Sequence, residues 1–424
     1  MNPDWLLLTG HCGTTALKKR LRELLMDISS QEMPHVKTDI EKSLHACKGK
    51  LDAMGPSRAD EQSQRLNLTK LAFRYQNVTE AALKGYYAGD ELFWNNSDLK
   101  LVTKMVKLNE DFSNILKDRG HMLSFGLKSP SDDDEGLLGF NKDDGFCWET
   151  ASFKYSELSE VLQGESYKCA AASVNPVMDL IRDVFASSRG PELETFGGNV
   201  LATAFRKQTV RWEFIVLAHT SRAIVLVHDY IFNLLSQLCP EKQGRQQLWK
   251  AHLIDKLCAS YRRAMDHARL LLRIERGGRP STFNQFFDTH IQRRRNERMA
   301  KALAGKAKGN GNKRVCLDDV RSQAQEKQKA DQVCEDIHYI LISYYQMSRK
   351  RFVDVVCQQV VMHFLLEGEE SPLQILGPDF VMGLDADQLE SIAGEEPESK
   401  RQRQSLERQK EKWEAALKVV RHCT

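Results

Sequence analysis

Three short strings in the sequence imitate parts of a guanine-nucleotide site. Asp133 to Gly136 matches the pattern DxxG, and Asn141 to Asp144 imitates NKxD, which reads the guanine base. Such a site also needs a P-loop, GxxxxGK[ST], because its amides cradle the phosphates and its hydroxyl holds magnesium. The nearest string, Gly305 to Arg314, lacks the second Gly-Lys-Ser unit. The first two strings share one acidic loop, where a nucleotide site would place a strand–helix–strand unit between them, so we interpret all three as chance matches.

No other catalytic arrangement is recognisable. HExxH, GxSxG and Cys–His patterns in a suitable context are absent, so we expect no catalysis, bound cofactor or metal from this chain alone. The ten cysteines include no CxxC pair, and we interpret them as reduced core residues. The sequence shows no signal peptide and no long apolar run, which predicts a cytoplasmic location.

The composition predicts an all-α fold. The chain has 424 residues, of which 28% are charged, with only 25 glycines and 11 prolines. Few helix breakers among many Leu, Lys, Glu, Arg and Gln residues favour long helices. The net charge of +3 is too small to indicate a polyanionic partner for the whole chain.

Apolar spacing and turn residues divide the chain into helices. We predict helices at about 14–30, 36–53, 59–87, 97–118, 157–163, 174–186, 194–238, 242–276, 324–366, 385–393 and 398–421. A further helix is predicted to start at Arg279-Pro280-Ser281-Thr282. Pro34 predicts a break or hinge, because proline removes an amide donor and disfavours helix in the preceding residue. The acidic, glycine-containing stretch 120–152 is typical of an exposed loop. The first and last helices are both amphipathic, and each needs the other or a helix that this chain lacks.

A basic segment follows the helix at 242–276. Residues 291–314 hold nine basic residues and one acidic residue, and end in the flexible string GKAKGNGNKR. Two interpretations of this segment stay open: it contacts anionic lipid, or it is a solvated insert. Nucleic acid is not an expected partner, since no aromatic residues are interleaved for stacking. The candidate membrane-binding residues are Arg293, Arg294, Arg295, Lys301, Lys306, Lys308, Lys313 and Arg314.

Several strings resemble the middle region and GTPase effector domain of dynamin-family proteins, especially fungal Mx-like members. They are Leu51-Asp-Ala-Met-Gly-Pro-Ser-Arg58, Ser188-Arg-Gly-Pro-Glu-Leu193, Lys207-Gln-Thr-Val-Arg-Trp-Glu213, Val227-His-Asp229, Leu271-Leu-Arg-Ile-Glu-Arg276 and Tyr345-Gln-Met-Ser-Arg-Lys-Arg-Phe-Val-Asp354. They occur in the same order as in that family, across nearly all of residues 13–421.

The resemblance implies an elongated antiparallel four-helix stalk. On this interpretation 32–298 is the middle region, 299–325 the basic stalk-tip loop and 326–396 the stalk part of the effector domain. Residues 13–31 and 397–421 are then two of the three helices of a bundle signalling element, and Pro34 and Pro397 are its hinges. The turns with Gly55 and Arg58, and with Arg189 and Gly190, are either contacts between stalks or ordinary helix connections.

The resemblance also implies partners and a function. We expect self-association through the stalk and relay of assembly to a GTPase domain during membrane remodelling or organelle division, at the cytoplasmic side of organelle membranes. GTP and magnesium belong to that domain, which has no counterpart in this chain. Two alternatives stay open: a shortened form of a complete dynamin-like GTPase, and a helical scaffold that binds anionic surfaces. Searching the transcript upstream of Met1 for an in-frame P-loop separates the first alternative from the stalk module.

Overall fold

The computed structural model describes residues 14–125, 146–147, 155–162, 168–169, 173–187, 199–304 and 329–423. The helices are α1 (Thr14–Ala53), α2 (Glu61–Lys84), α3 (Leu92–Asn95), α4 (Leu101–Arg119), α5 (Val177–Ser187), α6 (Asn199–Gln208), α7 (Trp212–Leu238), α8 (Lys242–Gln247), α9 (Ile254–Gly277), α10 (Gln285–Ala304), α11 (Lys329–Val355), α12 (Pro378–Met382), α13 (Ala386–Ala393) and α14 (Pro397–Cys423). Two π-helical segments, Leu248–Leu253 and Val356–Glu367, join α8 to α9 and continue α11. The predominance of helix confirms the all-α prediction.

The chain divides into two compact units. Unit 1 consists of Met1–Leu68 and Leu384–Thr424, and unit 2 of Thr69–Gly383. The domain boundaries predicted from the sequence resemblance stay predictions.

Unit 1 joins helices from opposite ends of the sequence. The second half of α1 buries Ile40, Leu44 and Cys47, and α14 buries Leu406 and Val420. Each such apolar side chain contributes roughly 1.5–3 kcal/mol when it leaves water. The Sγ of Cys47 donates to the carbonyl oxygen of Leu406 at 3.1 Å, so the two helices are in direct contact.

The first half of α1 has a different environment. The side chains of Leu17, Leu21, Leu24 and Ile28 are 61%, 50%, 48% and 49% exposed. These residues recur at helical spacing and form one apolar face. The named polar contacts between α14 and this part of the chain reach Cys47, Lys48 and the turn at Met54 and Gly55. The predicted bundle of residues 13–31 with 397–421 stays a prediction.

The predicted helix break at Pro34 is wrong, because α1 continues through this residue. Proline removes one hydrogen bond at a cost of about 3 kcal/mol, and the helical turns on both sides offset this loss. The hydroxyl of Thr38 donates to the carbonyl oxygen of Pro34 at 2.8 Å, a contact that commonly bends helices. A hinge at Pro34 stays a prediction.

An aromatic cluster forms the centre of unit 2. Trp212, at the start of α7, is fully buried and stacks on Phe352 with ring centroids 5.1 Å apart. Its indole Nε1 donates to the hydroxyl of Tyr345 at 3.3 Å, and Phe205 meets its ring edge-on. Helix α7 packs against α4 and α9, and the π-helical segment Val356–Glu367 packs on α9. Large aromatic residues therefore hold these helices together by area and shape.

Helix α7 is long and apolar enough to cross a membrane by length and composition alone. However, 72% of its most apolar window is buried inside the protein. An all-round apolar helix covered by other helices is typical of a protein core. We therefore interpret α7 as the central helix of unit 2.

Two further differences from the sequence predictions concern connections. The single helix predicted at 194–238 is two helices, α6 and α7. Thr209 lies between them, and its hydroxyl donates to the carbonyl oxygen of Phe205 in α6. Short strands also occur within or beside the predicted acidic loop: β1 (Leu123–Ser124) pairs with β4 (Ser173–Pro176), and β2 (Phe146–Cys147) pairs with β3 (Lys168–Cys169). Residues 126–145 and 148–154, with both imitated nucleotide strings, lie outside the described residues.

Candidate functional site

The turn after α1 is built around a glycine. Gly55 has φ of +73°, in the left-handed region that glycine enters without a steric cost, so it ends the helix as a C-terminal cap residue. Its amide donates to the carbonyl oxygen of Asp52 at 3.0 Å, and the amide of Met54 donates to that of Leu51 at 3.1 Å. The turn therefore points the carbonyl groups of Met54 and Gly55 away from the hydrogen bonds of α1.

Arg403 of α14 binds these two carbonyl groups. Its Nη1 donates to the oxygen of Gly55 at 3.0 Å and its Nη2 to that of Met54 at 3.2 Å. A positive charge at the C-terminal end of a helix is favourable, because the helix dipole places partial negative charge there. Arg403 therefore caps α1 from a helix almost 350 residues away in sequence.

Glu395 neutralises the buried arginine. The Nε of Arg403 donates to Oε1 of Glu395 at 2.8 Å, and the two side chains are only 9% and 5% exposed. The same carboxylate oxygen accepts the backbone amide of Arg58 at 3.2 Å. This ion pair thus links the N-terminal part of α14 to the turn between α1 and α2, at the carbonyl groups of Met54 and Gly55 and at the amide of Arg58. We call Met54, Gly55, Arg58, Glu395 and Arg403 the arginine clamp.

Polar contacts extend the clamp to the neighbouring helices of unit 1. The side-chain amide of Gln64 donates to the carbonyl oxygen of Arg58 at 3.0 Å and to the carboxylate of Glu390. Helix α13, which carries Glu390, begins with a capping box between Asp385 and Gln388. The start of α2 and helix α13 are therefore fixed to the same turn.

The energetics of the clamp favour specificity over net stability. Removing two charges from water offsets most of their attraction, so a buried ion pair contributes little net free energy. Breaking it from one side is costly, because the remaining charge stays buried without its partner. The arginine clamp can therefore hold α14 in one orientation, and separating its partners is costly because each charge would stay buried without the other.

The structure brings together two of the residues singled out from the sequence and places a third at the start of α14. Gly55 and Arg58 belong to the clamp, and Pro397 is the first residue of α14, where proline fits because its missing amide needs no partner. Sequence reasoning missed Arg403 and Glu395. Arg403 lies three residues before Leu406, on the apolar stripe of α14, and an arginine in that position is a signal for a buried contact.

Three candidates of the basic segment have partners other than the clamp residues. Arg293 pairs with Glu297 at 3.1 Å, Arg294 donates to the side chain of Gln346 at 3.2 Å, and Arg295 lies 3.7 Å from Asp336. Lys301 lies in α10, and no placement of its side chain is described. Arg189, Gly190, Lys306, Lys308, Lys313 and Arg314 lie outside the described residues. Membrane binding by the basic segment stays a prediction.

The described residues contain no group of three or more His, Cys, Asp or Glu side chains that could hold a metal ion. The arginine clamp offers no nucleophile and no open coordination position, and its carboxylate is already paired. Its chemistry is that of a structural connection between helices.

The family comparison concerns the first part of the chain. Residues 1–128 match the family model described as the dynamin central region. This segment includes α1, the turn with the arginine clamp, α2 and α4, and the match supports a dynamin-family stalk here. No curated protein matches the chain.

Proposed function

We propose that this chain is the self-assembling stalk and GTPase-effector module of a dynamin-like protein. In this proposal unit 2 contains the stalk, and the pair of α1 and α14 is the part that relays assembly to a GTPase domain. The finer assignments, a four-helix stalk and an effector domain at residues 326–396, belong to the same proposal. The match of residues 1–128 to the dynamin central region supports it.

The observation that carries the proposal is the arginine clamp. A relay needs a connection that holds one helix in a defined orientation and transmits a movement of its partners. Arg403 and Glu395 meet the first condition, because their three nitrogen and oxygen contacts fix α14 to the turn after α1. They meet the second because separating a buried ion pair is costly, so a shift of the turn carries Arg403 and its helix with it. The mechanism is a reorientation of α14 when the turn at Gly55 to Arg58 shifts.

The proposal predicts self-association of the isolated chain. Sedimentation velocity and light scattering are measured from the submicromolar range to tens of micromolar. The mean mass is expected to rise with concentration, toward dimers and larger species. A monomer throughout this range would overturn the proposal.

The relay is tested separately in a fusion that joins a dynamin-family GTPase domain ahead of α1. We expect assembly-stimulated GTP hydrolysis to fall in Arg403→Gln, while basal hydrolysis and self-association are kept. Arg401→Gln is the matched control, since Arg401 is exposed two residues earlier on the same helix. Equal stimulation in both variants would remove the relay role and leave self-association untouched.

A further inference from the structure

Two buried arginines lie beside the aromatic cluster of unit 2. Arg211 and Arg349 are each only 6% exposed. Nη1 of Arg211 donates to the main chain, at 3.2 Å from the carbonyl oxygen of His121 and 3.5 Å from that of Arg119. Arg349 lies one helical turn after Tyr345 on α11, so both side chains leave the helix on the same face. The rings of His121 and Tyr345 meet edge-on, with centroids 6.5 Å apart, which brings the two arginines into one neighbourhood.

The electrostatics of this neighbourhood are positive. Burial, followed by the charges of Arg211 and Arg349, lowers the pKa of His121 to about 4. Burial raises the pKa of Tyr345, and the same two arginines oppose that shift together with a hydrogen bond from Trp212. No carboxylate of the described residues contributes to either shift. Both arginines therefore act on the same two groups, and no described acidic side chain offsets their charge there.

Arg349 has neither a hydrogen bond nor an ion pair among the described residues. An arginine stays protonated in proteins, so it cannot avoid the cost of burial by losing its proton. A buried charge is costly unless an opposite charge or several hydrogen bonds compensate it. In unit 1 Glu395 supplies that compensation for the buried Arg403. The contrast indicates that Arg349 is built to meet an anion from outside the chain.

Two further groups in this neighbourhood can donate hydrogen bonds. Nδ1 of His121 is buried, lacks a partner among the described residues, and is a donor when it carries the ring proton. The hydroxyl oxygen of Tyr345 accepts from Nε1 of Trp212 at 3.3 Å, and no described group accepts the proton of that hydroxyl. Because buried polar groups are nearly always hydrogen-bonded, these donors need a shared acceptor.

We infer that Arg211, Arg349, His121 and Tyr345, which we call the cationic cluster, bind the phosphate group of a small soluble molecule. A guanidinium group donates to two oxygens of such an anion at once, and its charge strengthens both bonds. The imidazole and the hydroxyl supply single donors for the other oxygens. All four residues are more than nine-tenths buried, so a free ion fits this place better than a headgroup held in a bilayer.

The cationic cluster joins three parts of unit 2. His121 follows α4, Arg211 directly precedes α7, and Arg349 and Tyr345 belong to α11. An anion bound among them links these elements and stabilises the folded state in proportion to its concentration and affinity. The inference is independent of the proposed function, because it concerns the interior of unit 2.

Calorimetric titration of the full chain with inorganic phosphate tests the inference, with sodium chloride holding the ionic strength constant. We expect saturable binding in the millimolar range or tighter. Arg349→Met should weaken it at least about tenfold, because it removes charge-assisted hydrogen bonds. Lys350→Met is the matched control, since Lys350 is exposed and removes the same charge from the next position of α11. No binding by the wild type, or equal binding by the two variants, would overturn the inference.

Urea denaturation adds a readout that a purely structural arginine would not give. Without phosphate, Arg349→Met should be at least as stable as the wild type, because it removes a buried charge that has no partner. Phosphate should raise the urea midpoint of the wild type and of Lys350→Met, and leave that of Arg349→Met unchanged. A loss of stability in Arg349→Met that is the same with and without phosphate would make this arginine a structural contact and overturn the inference.

A second variant covers the case in which Arg349→Met does not fold. Tyr345→Phe keeps the buried ring and removes only the hydroxyl, so it should weaken phosphate binding several-fold. Affinity equal to that of the wild type would remove Tyr345 from the cationic cluster and contradict the arrangement inferred for it.

Vesicles that contain phosphatidic acid separate a free phosphate from a lipid headgroup. We expect the wild type and Arg349→Met to cosediment with these vesicles equally. Weaker cosedimentation of Arg349→Met, without a response of the wild type to inorganic phosphate, would make the cluster a lipid contact and overturn the inference. The mass of the chain in solution, which tests the proposed function, should be the same with and without phosphate.

Discussion

Different interactions stabilise the interior of each of the two units of this chain. Unit 2 has a buried aromatic cluster around Trp212, in which the contacts depend on area and shape. Unit 1 has few apolar layers between α1 and α14 and a buried ion pair at their end. Apolar burial gives large net stability with little dependence on angle, whereas a buried ion pair gives little net stability and a strict geometry. The comparison indicates that buried apolar area stabilises unit 2, whereas the geometry of one ion pair fixes the orientation of the helix pair in unit 1.

The largest expected effect comes from removing the central aromatic residue of unit 2. Trp212→Ala should lower the free energy of unfolding of unit 2 by about 4 kcal/mol, because it removes a fully buried ring and leaves a cavity. Urea denaturation followed by circular dichroism measures this change. Trp94→Ala is the control, since Trp94 is 68% exposed and should have little effect. An equal shift in the hydrogen–deuterium exchange of α14, which lies in unit 1, would show that the two units unfold together.

Breaking the arginine clamp should have a slightly smaller effect, confined to unit 1. Arg403→Met should cost about 3 kcal/mol, because it leaves the carboxylate of Glu395 buried without its partner. Hydrogen–deuterium exchange of α14 in a series of urea concentrations measures this loss. Arg401→Met is the matched control and should be neutral. Adding Glu395→Leu to Arg403→Met should recover part of the loss, and no recovery would show that the cost is not the unpaired charge.

Mild acid should weaken unit 2 through three buried histidines. Burial lowers the pKa of His121 to about 4, helped by Arg211 and Arg349, and lowers the pKa of His219 to about 3. Burial also lowers the pKa of His338 to about 4. The unfolded chain binds protons at these sites below pH 6.5, so stability is full above this pH and falls below it.

The loss between pH 7 and pH 6 should total about 2 kcal/mol for the three groups. Urea denaturation at a series of pH values measures it. His219→Leu should remove about a third of the pH dependence, because the ring stacks on Phe112 and its nitrogens have no hydrogen-bond partner among the described residues. If His219→Leu leaves the pH dependence of the free energy of unfolding unchanged, this assignment is wrong.

The local part of the fold could be predicted from the sequence. Periodic apolar residues predicted α2, α4 and α14 within a few residues, because a helix buries one face at a spacing of 3.6 residues whatever lies opposite. The predicted helices at 242–276 and 324–366 include α9 and α11, but each also covers a π-helical segment. Two connections were wrong. Pro34 predicts a helix break, yet α1 continues through it. No residue type at 209–211 predicts a helix end, yet α6 ends at Gln208.

The arginine clamp could be predicted only in part. Gly55 is visible in the sequence, because a glycine followed by proline after an amphipathic segment predicts a helix end. Its partner Arg403 is not, since the contact depends on which helix packs there. Its acceptors are also backbone carbonyl groups, which no residue type identifies. Long-range polar contacts to the main chain therefore escape single-sequence reasoning, while their geometry is plain once the helices are placed.

The acceptors of Arg403 have a consequence for how this region tolerates change. Carbonyl oxygens belong to every residue, so replacing the side chain of Met54 keeps the two acceptors in place. Insertion or deletion of one residue at Met54 or Gly55 shifts the acceptors relative to the guanidinium, and one between Gly55 and Arg58 shifts the amide that Glu395 accepts. The segment is therefore strict in length and in its glycine at position 55, whose φ is positive, whereas the side chain of Met54 can change.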